Sequence, residues 1–248
     1  MPIRDLESDL DGLGYRARLS EGRRAMAHLI HVWHERNGWS HKVLPALVEC
    51  LDIGRVHNSQ ISNLRNGKLA SPGPEVFLAL SQANAILYQG IGTIRDRLAN
   101  NHPELLKVLL DSAIPLTGDD SKPLGAGAFF EIFLGLVPLP SCFDWFIEEN
   151  EAVWLSAVLA DYFCNGKSWR HCRDEVMGAY PITKTQRRER FAEVMAGLTD
   201  YSAEQLDGEL LDLHITYLAL GGKVDLGAKG FLEDLRLKVE ELKNQETP

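Results

Sequence analysis

The run His57-Asn58-Ser59-Gln60-Ile61-Ser62-Asn63-Leu64-Arg65-Asn66-Gly67-Lys68 decides how this chain is read. Only Ile61 and Leu64 are apolar in it, and a spacing of three puts both on one side of a helix. A helix over 58–66 held by those two side chains leaves Asn58, Ser59, Gln60, Ser62 and Asn63 facing outward. Gly67 supplies the left-handed residue beyond the helix end, and Pro72 and Pro74 break the chain again soon after.

Upstream, Met26, Leu29, Ile30 and Trp33 fall at i, i+3, i+4 and i+7, the stripe of an amphipathic helix that Asn37-Gly38 stops. Ser40 can cap a second helix carrying Val43, Leu44, Leu47, Val48 and Leu51, with Pro45 near its first turn and Gly54 at its end. Downstream, Val76, Phe77, Leu80 and Ala83 restart the stripe, and Ile91, Ile94 and Leu98 repeat it, so five helices are expected before residue 100. Turn formers between Asn100 and Gly127 surround one short apolar run, Leu105 to Leu110, and the domain junction is placed there. Ser141 with Asp144 has the spacing of a capping box opening a helix that ends at Asn165-Gly166. Further helices are read over 185–196, 202–220 and 228–244. No segment alternates as a strand does, so the chain is expected to be all-α.

Helix, cap, helix, turn, short polar helix and glycine is the layout of a helix-turn-helix module, whose short helix enters the major groove. On these residues the segment Ser40 to Ala85 resembles the Cro/repressor-type, or XRE, family, phage lambdoid repressors included. The run 57–68 looks like that family's third helix and the turn after it. Asn66-Gly67-Lys68, Pro72 and the apolar Val76 to Leu80 are similar to its entry into a fourth helix. By resemblance, Asn58, Ser59 and Asn63 fall where the family reads bases, while Gln60, Asn66 and Lys68 fall where it could hold the DNA backbone. Arg55 and Arg65 join the expected phosphate contacts as flanking cations. The stretch between Ser40 and Ile61 is longer than the family's, and Arg65 stands where the family often has an acidic residue.

The charge map has a matching shape. The chain carries 35 Asp and Glu against 26 Lys and Arg, a net charge of −9, which argues against a protein built only to coat nucleic acid. Yet residues 21–100 hold 9 bases against 6 acids, while 101–248 hold 14 against 25. From Arg23 to Lys68 alone there are seven bases against three acids. The expected organisation is an acidic arm over 1–20, a helix-turn-helix domain over 21–100, a linker over 101–127, and an acidic, aromatic-rich helical domain over 128–248. The apolar stretch 124–146 is interrupted by Glu131, Pro138, Pro140 and Asp144, so no membrane span is expected.

Other constellations carry less. His28, His31 and His34 step by three and drift around their helix, with His41 beyond. No carboxylate or cysteine completes a ligand set, so no metal is expected and these histidines read as solvated or phosphate-facing. Cys50, Cys142, Cys164 and Cys172 form no CxxC; Cys164 and Cys172 read as core cysteines, and a reducing cytoplasm is the expected setting. No nucleophile, metalloprotease or phosphate-loop motif is present, so neither enzyme nor cofactor is expected. Glu148, Glu149 and Glu151 read as a solvated face. Ten of the twenty aromatics lie between 129 and 169 and are assigned mainly to a core, with a subunit interface or ligand groove as lesser readings. Lys184, Arg187, Arg188 and Arg190 read as a solvated basic face paired with neighbouring glutamates, or as a second phosphate contact.

The function expected from the sequence is sequence-specific binding of double-stranded DNA by a transcriptional regulator, as a homodimer whose paired third helices lie about 34 Å apart. A protein partner through 128–248 is a further expectation. The rival reading is a protein-interaction adaptor whose helix-turn-helix has lost the groove, favoured by the lengthened turn and the net acidity.

Overall fold

The computed structural model describes residues 14–222 and 227–246. Among them are twelve α-helices and two 3-10 turns, with no strand beyond one isolated bridge between Thr117 and Pro123, so the chain is all-α. It divides into two compact units, Met1–Ser141 and Cys142–Pro248.

The first unit is organised by α1, Tyr15–Asn37, which ends at Gly38 in the left-handed conformation. Around it run α2 (Val43–Leu51), α3 (Asn58–Arg65), α4 (Pro74–Gln89), a 3-10 turn (Ile91–Thr93), α5 (Arg95–Asn101), α6 (Pro103–Asp111) and α7 (Ala126–Leu134). Met26, Leu29, Ile30 and Trp33 are all buried, as their spacing requires. α7 lies along α1 and α4, and the α1–α7 crossing is too close for side chains. A Cβ on Gly22 would collide with backbone atoms of Ile132, Phe133 and Gly135, and one on Gly135 would collide with the backbone of Arg18. Both glycines are therefore packing requirements, and Gly135 also ends α7 with φ of 69°.

Polar anchoring in this unit comes from amides. Asn37 Oδ1 accepts the Ile114 N–H at 2.6 Å and the Ser112 hydroxyl at 2.8 Å, while its Nδ2 donates to the Trp33 and Ile114 carbonyls. Asn84 repeats the device, accepting the Leu116 N–H at 2.7 Å and donating to the Leu116 and Leu124 carbonyls. The indoles of Trp33 and Trp39 donate to Ile114 and Ser112 carbonyls. A strand-like stretch that a sheet would have satisfied is satisfied here by four side chains.

This overturns the expected junction. The stretch 101–127 is not a linker: Leu106 and Leu109 bury the apolar side of α6, and 112–124 is stapled by Asn37 and Asn84. The boundary falls after Ser141 instead. Residues 15–20 of the expected arm are the opening turns of α1, while 1–13 lie outside the described residues. Lys42 precedes α2 at its start, with the Ser40 hydroxyl only 3.4 Å from the Lys42 N–H, and Asp52 rather than Gly54 ends it, in the left-handed region at φ 53°.

The second unit holds α8 (Glu149–Cys164), α9 (Trp169–Ala179), α10 (Thr185–Met195), α11 (Ala203–Ala219) and α12 (Gly227–Glu246). Ser141–Phe143 is a 3-10 turn, and α8 starts at Glu149, because the reciprocal cap is formed by Glu148 and Glu151, whose carboxylate accepts the Glu148 N–H at 3.0 Å. Asn165 and Gly166, both at positive φ, end α8 where the sequence places its end. Ser202 and Gln205 cap α11 in the same reciprocal way. The interior is rich in rings, with Tyr180 stacked on Phe191 at 4.1 Å and Phe163 and Tyr217 on Phe231.

A charged cluster sits among those rings. Arg187 donates from Nε to Glu209 Oε1 at 2.8 Å and from Nη2 to Glu209 Oε2 and Asp212 Oδ2; Arg190 and the Tyr180 hydroxyl also donate to Glu209. Arg188 donates to the carbonyls of Met177, Tyr180 and Ile182. The basic run on this helix is thus an internal clamp and not a solvated face, since three of its arginines are spent on partners within the unit. Cys164 and Cys172 are joined in a disulfide, Cα to Cα 5.8 Å, where reduced core cysteines were expected; a spacing of eight residues gives no signal of it. Cys50 and Cys142 take no part in a disulfide.

Candidate nucleic-acid interface

α3 is short, and its placement follows from few contacts. Ile61 and Leu64 are buried, and the helix packs chiefly on α1 with a smaller contact to α2. The Gln60 carboxamide oxygen accepts the His57 N–H at 2.9 Å and so fixes the start of the helix. At the other end the Asn63 carbonyl accepts the N–H groups of Lys68 and Leu69, Gly67 takes φ of 64°, and Asn66 Nδ2 donates to the Ser62 carbonyl at 2.6 Å. Arg23 of α1 donates to the Ala70 carbonyl at 2.6 Å, tying down the segment that leaves the helix.

The connection between α2 and α3 runs over residues 52–57, with Val56 turned into the core. Its length lets α3 rest against α1, and a second tie fixes that arrangement. Arg65 donates from Nη2 to Glu35 Oε1 at 3.0 Å and from Nε to His31 Nδ1 at 2.9 Å, joining α3 to α1 across 30 or more residues of sequence. Arg65 is therefore half-buried and engaged, which removes it from the expected phosphate contacts. Gln60 and Asn66 are likewise occupied, one at each end of the helix, in holding its shape.

What remains outward is a compact polar face. Ser59 and Asn63 stand one turn apart on the side opposite Ile61 and Leu64, Asn58 opens the helix, and Arg55 and Lys68 lie just before and after it. All five are exposed. Their side chains form no hydrogen bond or ion pair with the described residues, so their donors, acceptors and charges are available to a ligand. Sequence reasoning missed the Glu35–Arg65–His31 tie. The partners of Arg65 lie 30 and 34 residues away in sequence, which leaves no local signal of it.

His41 is exposed, but the three histidines of α1 do not face solvent. His28, His31 and His34 are buried. Burial, with the Arg65 guanidinium nearby, brings His31 down to about 4. Burial also brings His34 down to about 4, against the raising effect of its Nδ1–H bond to the Ile30 carbonyl. At neutral pH both are uncharged, so they add nothing to the positive field, and the expectation of phosphate-facing histidines is corrected: α1 is covered by α3 on one side and α7 on another.

Each unit has relatives of its own. Residues 16–135 match a family described as a domain of unknown function (DUF8644), and residues 152–246 match a second domain of unknown function (DUF8645). Both matched ranges lie inside the corresponding compact units, on either side of Ser141. No curated protein and no solved structure matches the chain. No helix among the described residues is long and apolar enough to cross a membrane.

Proposed function

We propose that the chain is a sequence-specific DNA-binding regulator that reads the major groove with α3. The observation that carries the reading is the division of labour on that helix: two apolar side chains and three polar ones hold it, while Asn58, Ser59 and Asn63 stay outward and unspent. Carboxamides form paired hydrogen bonds with the N6 and N7 edge of adenine, and a serine hydroxyl serves either strand as donor or acceptor. Arg55 and Lys68, one beyond each end of α3, meet the phosphates that flank the groove, fixing register without reading sequence. Two copies would present two α3 helices to successive grooves of one duplex face. The reading requires no cofactor or catalytic step, and it sets the protein in the cytoplasm with the DNA.

The test is fluorescence-anisotropy binding of the full chain to a pool of random duplexes at two salt concentrations, followed by sequencing of what is retained. Enrichment of a motif, with affinity falling steeply as salt rises, is the expected result. Salt-sensitive retention with no motif reduces the reading to nonspecific binding. Absence of retention at low salt overturns it in favour of the interaction adaptor, which the six-residue connection and the net charge of −9 favour.

A further inference from the structure

Six arginines belong to the second unit, and their fates differ. Arg187, Arg188, Arg190 and Arg236 are each bound to carboxylates or carbonyls of that unit. Arg170 and Arg173 have no such partner among the described residues, and the two lie together on the wall of one groove between α9 and α10. The groove has a volume of about 470 Å³, within the range of small-molecule sites.

Its remaining surface is as telling as its arginines. Asp174 and Glu193 line the same groove, yet neither carboxylate is within ion-pair distance of either guanidinium. Charges of both signs held apart around one concavity are complementary to a molecule that itself carries both. Trp169 offers an indole face, and Leu198, 77 % exposed beyond the left-handed Gly197, offers an apolar edge. An exposed leucine beside an indole favours a ligand with an apolar body, because both surfaces would leave water on binding.

We infer that the α9–α10 groove binds a small zwitterion of the α-amino-acid kind with an apolar or aromatic side chain. Arg170 and Arg173 take the carboxylate, Asp174 and Glu193 the ammonium, and Trp169 and Leu198 the side chain. The arginine fork suits a carboxylate because it can donate two parallel hydrogen bonds to it. The site concerns the second unit alone and stands whether or not α3 binds DNA.

The experiment is a titration of the ¹⁵N-labelled full chain with L-phenylalanine, phenylacetate and phenethylamine, following the Trp169 indole N–H signal assigned with Trp169→Phe. L-Phenylalanine is expected to move that signal and to bind at least about tenfold more tightly than either single-charge analogue. Arg170→Gln/Arg173→Gln should weaken L-phenylalanine by a similar factor and leave phenethylamine unchanged. Asp174→Asn/Glu193→Gln should likewise weaken L-phenylalanine, but weaken phenethylamine and spare phenylacetate. All four side chains are exposed, so an unchanged melting temperature separates lost binding from lost fold, and either double variant serves alone if the other melts early. Equal binding of the three probes, indifference to both double variants, or no movement of the Trp169 signal would overturn the proposal.

Discussion

The two units solve one problem, the burial of polar groups, with opposite chemistry. In the first, Asn37 and Asn84 staple the 112–124 backbone with neutral amides, and α1 meets α7 backbone to backbone through Gly22 and Gly135. In the second, Arg187, Glu209 and Asp212 are ionised groups buried among stacked rings. The difference teaches that a neutral staple is sensitive to shape, whereas an ionic one is sensitive to charge balance. A buried ion pair gains little over an apolar replacement of the whole cluster, but it is costly to break on one side.

The sharpest way to break the comparison is at the glycine crossing. Gly22→Val should destabilise the first unit by on the order of 4 kcal/mol or more, because the added atoms meet only backbone. Loss of hydrogen-exchange protection confined to 15–134 is the expected signature, and an unchanged melt would mean the helices slide apart freely. Next comes charge. Glu209→Gln should cost about 3 to 5 kcal/mol by leaving Arg187 undercompensated, while Arg187→Met, Glu209→Leu and Asp212→Leu together should cost far less than the single change. Denaturant melts of both variants decide it: equal costs would remove the distinction between breaking and replacing. Asn84→Ala should follow at about 2 to 3 kcal/mol from the orphaned Leu116 N–H and its neighbours, and this loss should not depend on salt.

pH sets the two units against each other. His34 is lowered to about 4 in the folded chain and returns to its ordinary value of 6.5 on unfolding, so between those values the unfolded state binds more protons. Its contribution is complete above 6.5 and is lost as pH falls toward 4. Asp207 runs the other way. Burial raises it to about 8, with Glu151 and Glu204 adding to the rise and the Trp145 indole opposing it, so the folded state holds a proton the unfolded state releases. That contribution is present at acid pH and is lost as pH rises from 3.8 toward 8. The full shifts correspond to about 3 kcal/mol for His34 and about 6 kcal/mol for Asp207. Hydrogen exchange of the intact chain at pH 5 and pH 7.5 should show α1 better protected at the higher pH and α11 at the lower. Parallel changes in both units would contradict it.

The smallest effect separates two cations of one helix region. Lys68→Ala should leave the melting temperature unchanged and lower the salt slope of duplex binding by about 1. Arg65→Ala should do the converse, costing stability through Glu35 and His31 with no change in slope. Equal slopes for Lys68→Ala and the parent chain would take Lys68 out of the interface.

Much of this was legible from periodicity and caps. The stripe from Met26 to Trp33, the stop at Gly38, the two anchors of α3, Gly67 and the end of α8 at Asn165-Gly166 are local signals, and each stands where the sequence places it. What was hidden is non-local. Nothing near Asn37 announces that it binds residue 114, so a stretch full of turn formers read as a linker. Arg187 sits in a run of cations that looks solvated until the facing helix supplies Glu209. For α3, residue types and direction were readable, but which polar side chains are spent internally depended on α1 lying across it.

The two-anchor attachment of α3 has a consequence for variation. Since Ile61 and Leu64, with Gln60, Arg65 and Asn66, do the holding, substitutions at 58, 59 and 63 are nearly silent for folding, and on the proposed reading only a bound duplex selects among them. A library randomised at those three positions should yield folded members almost throughout, so new binding preferences can be sampled on an unchanged scaffold, one helix face at a time.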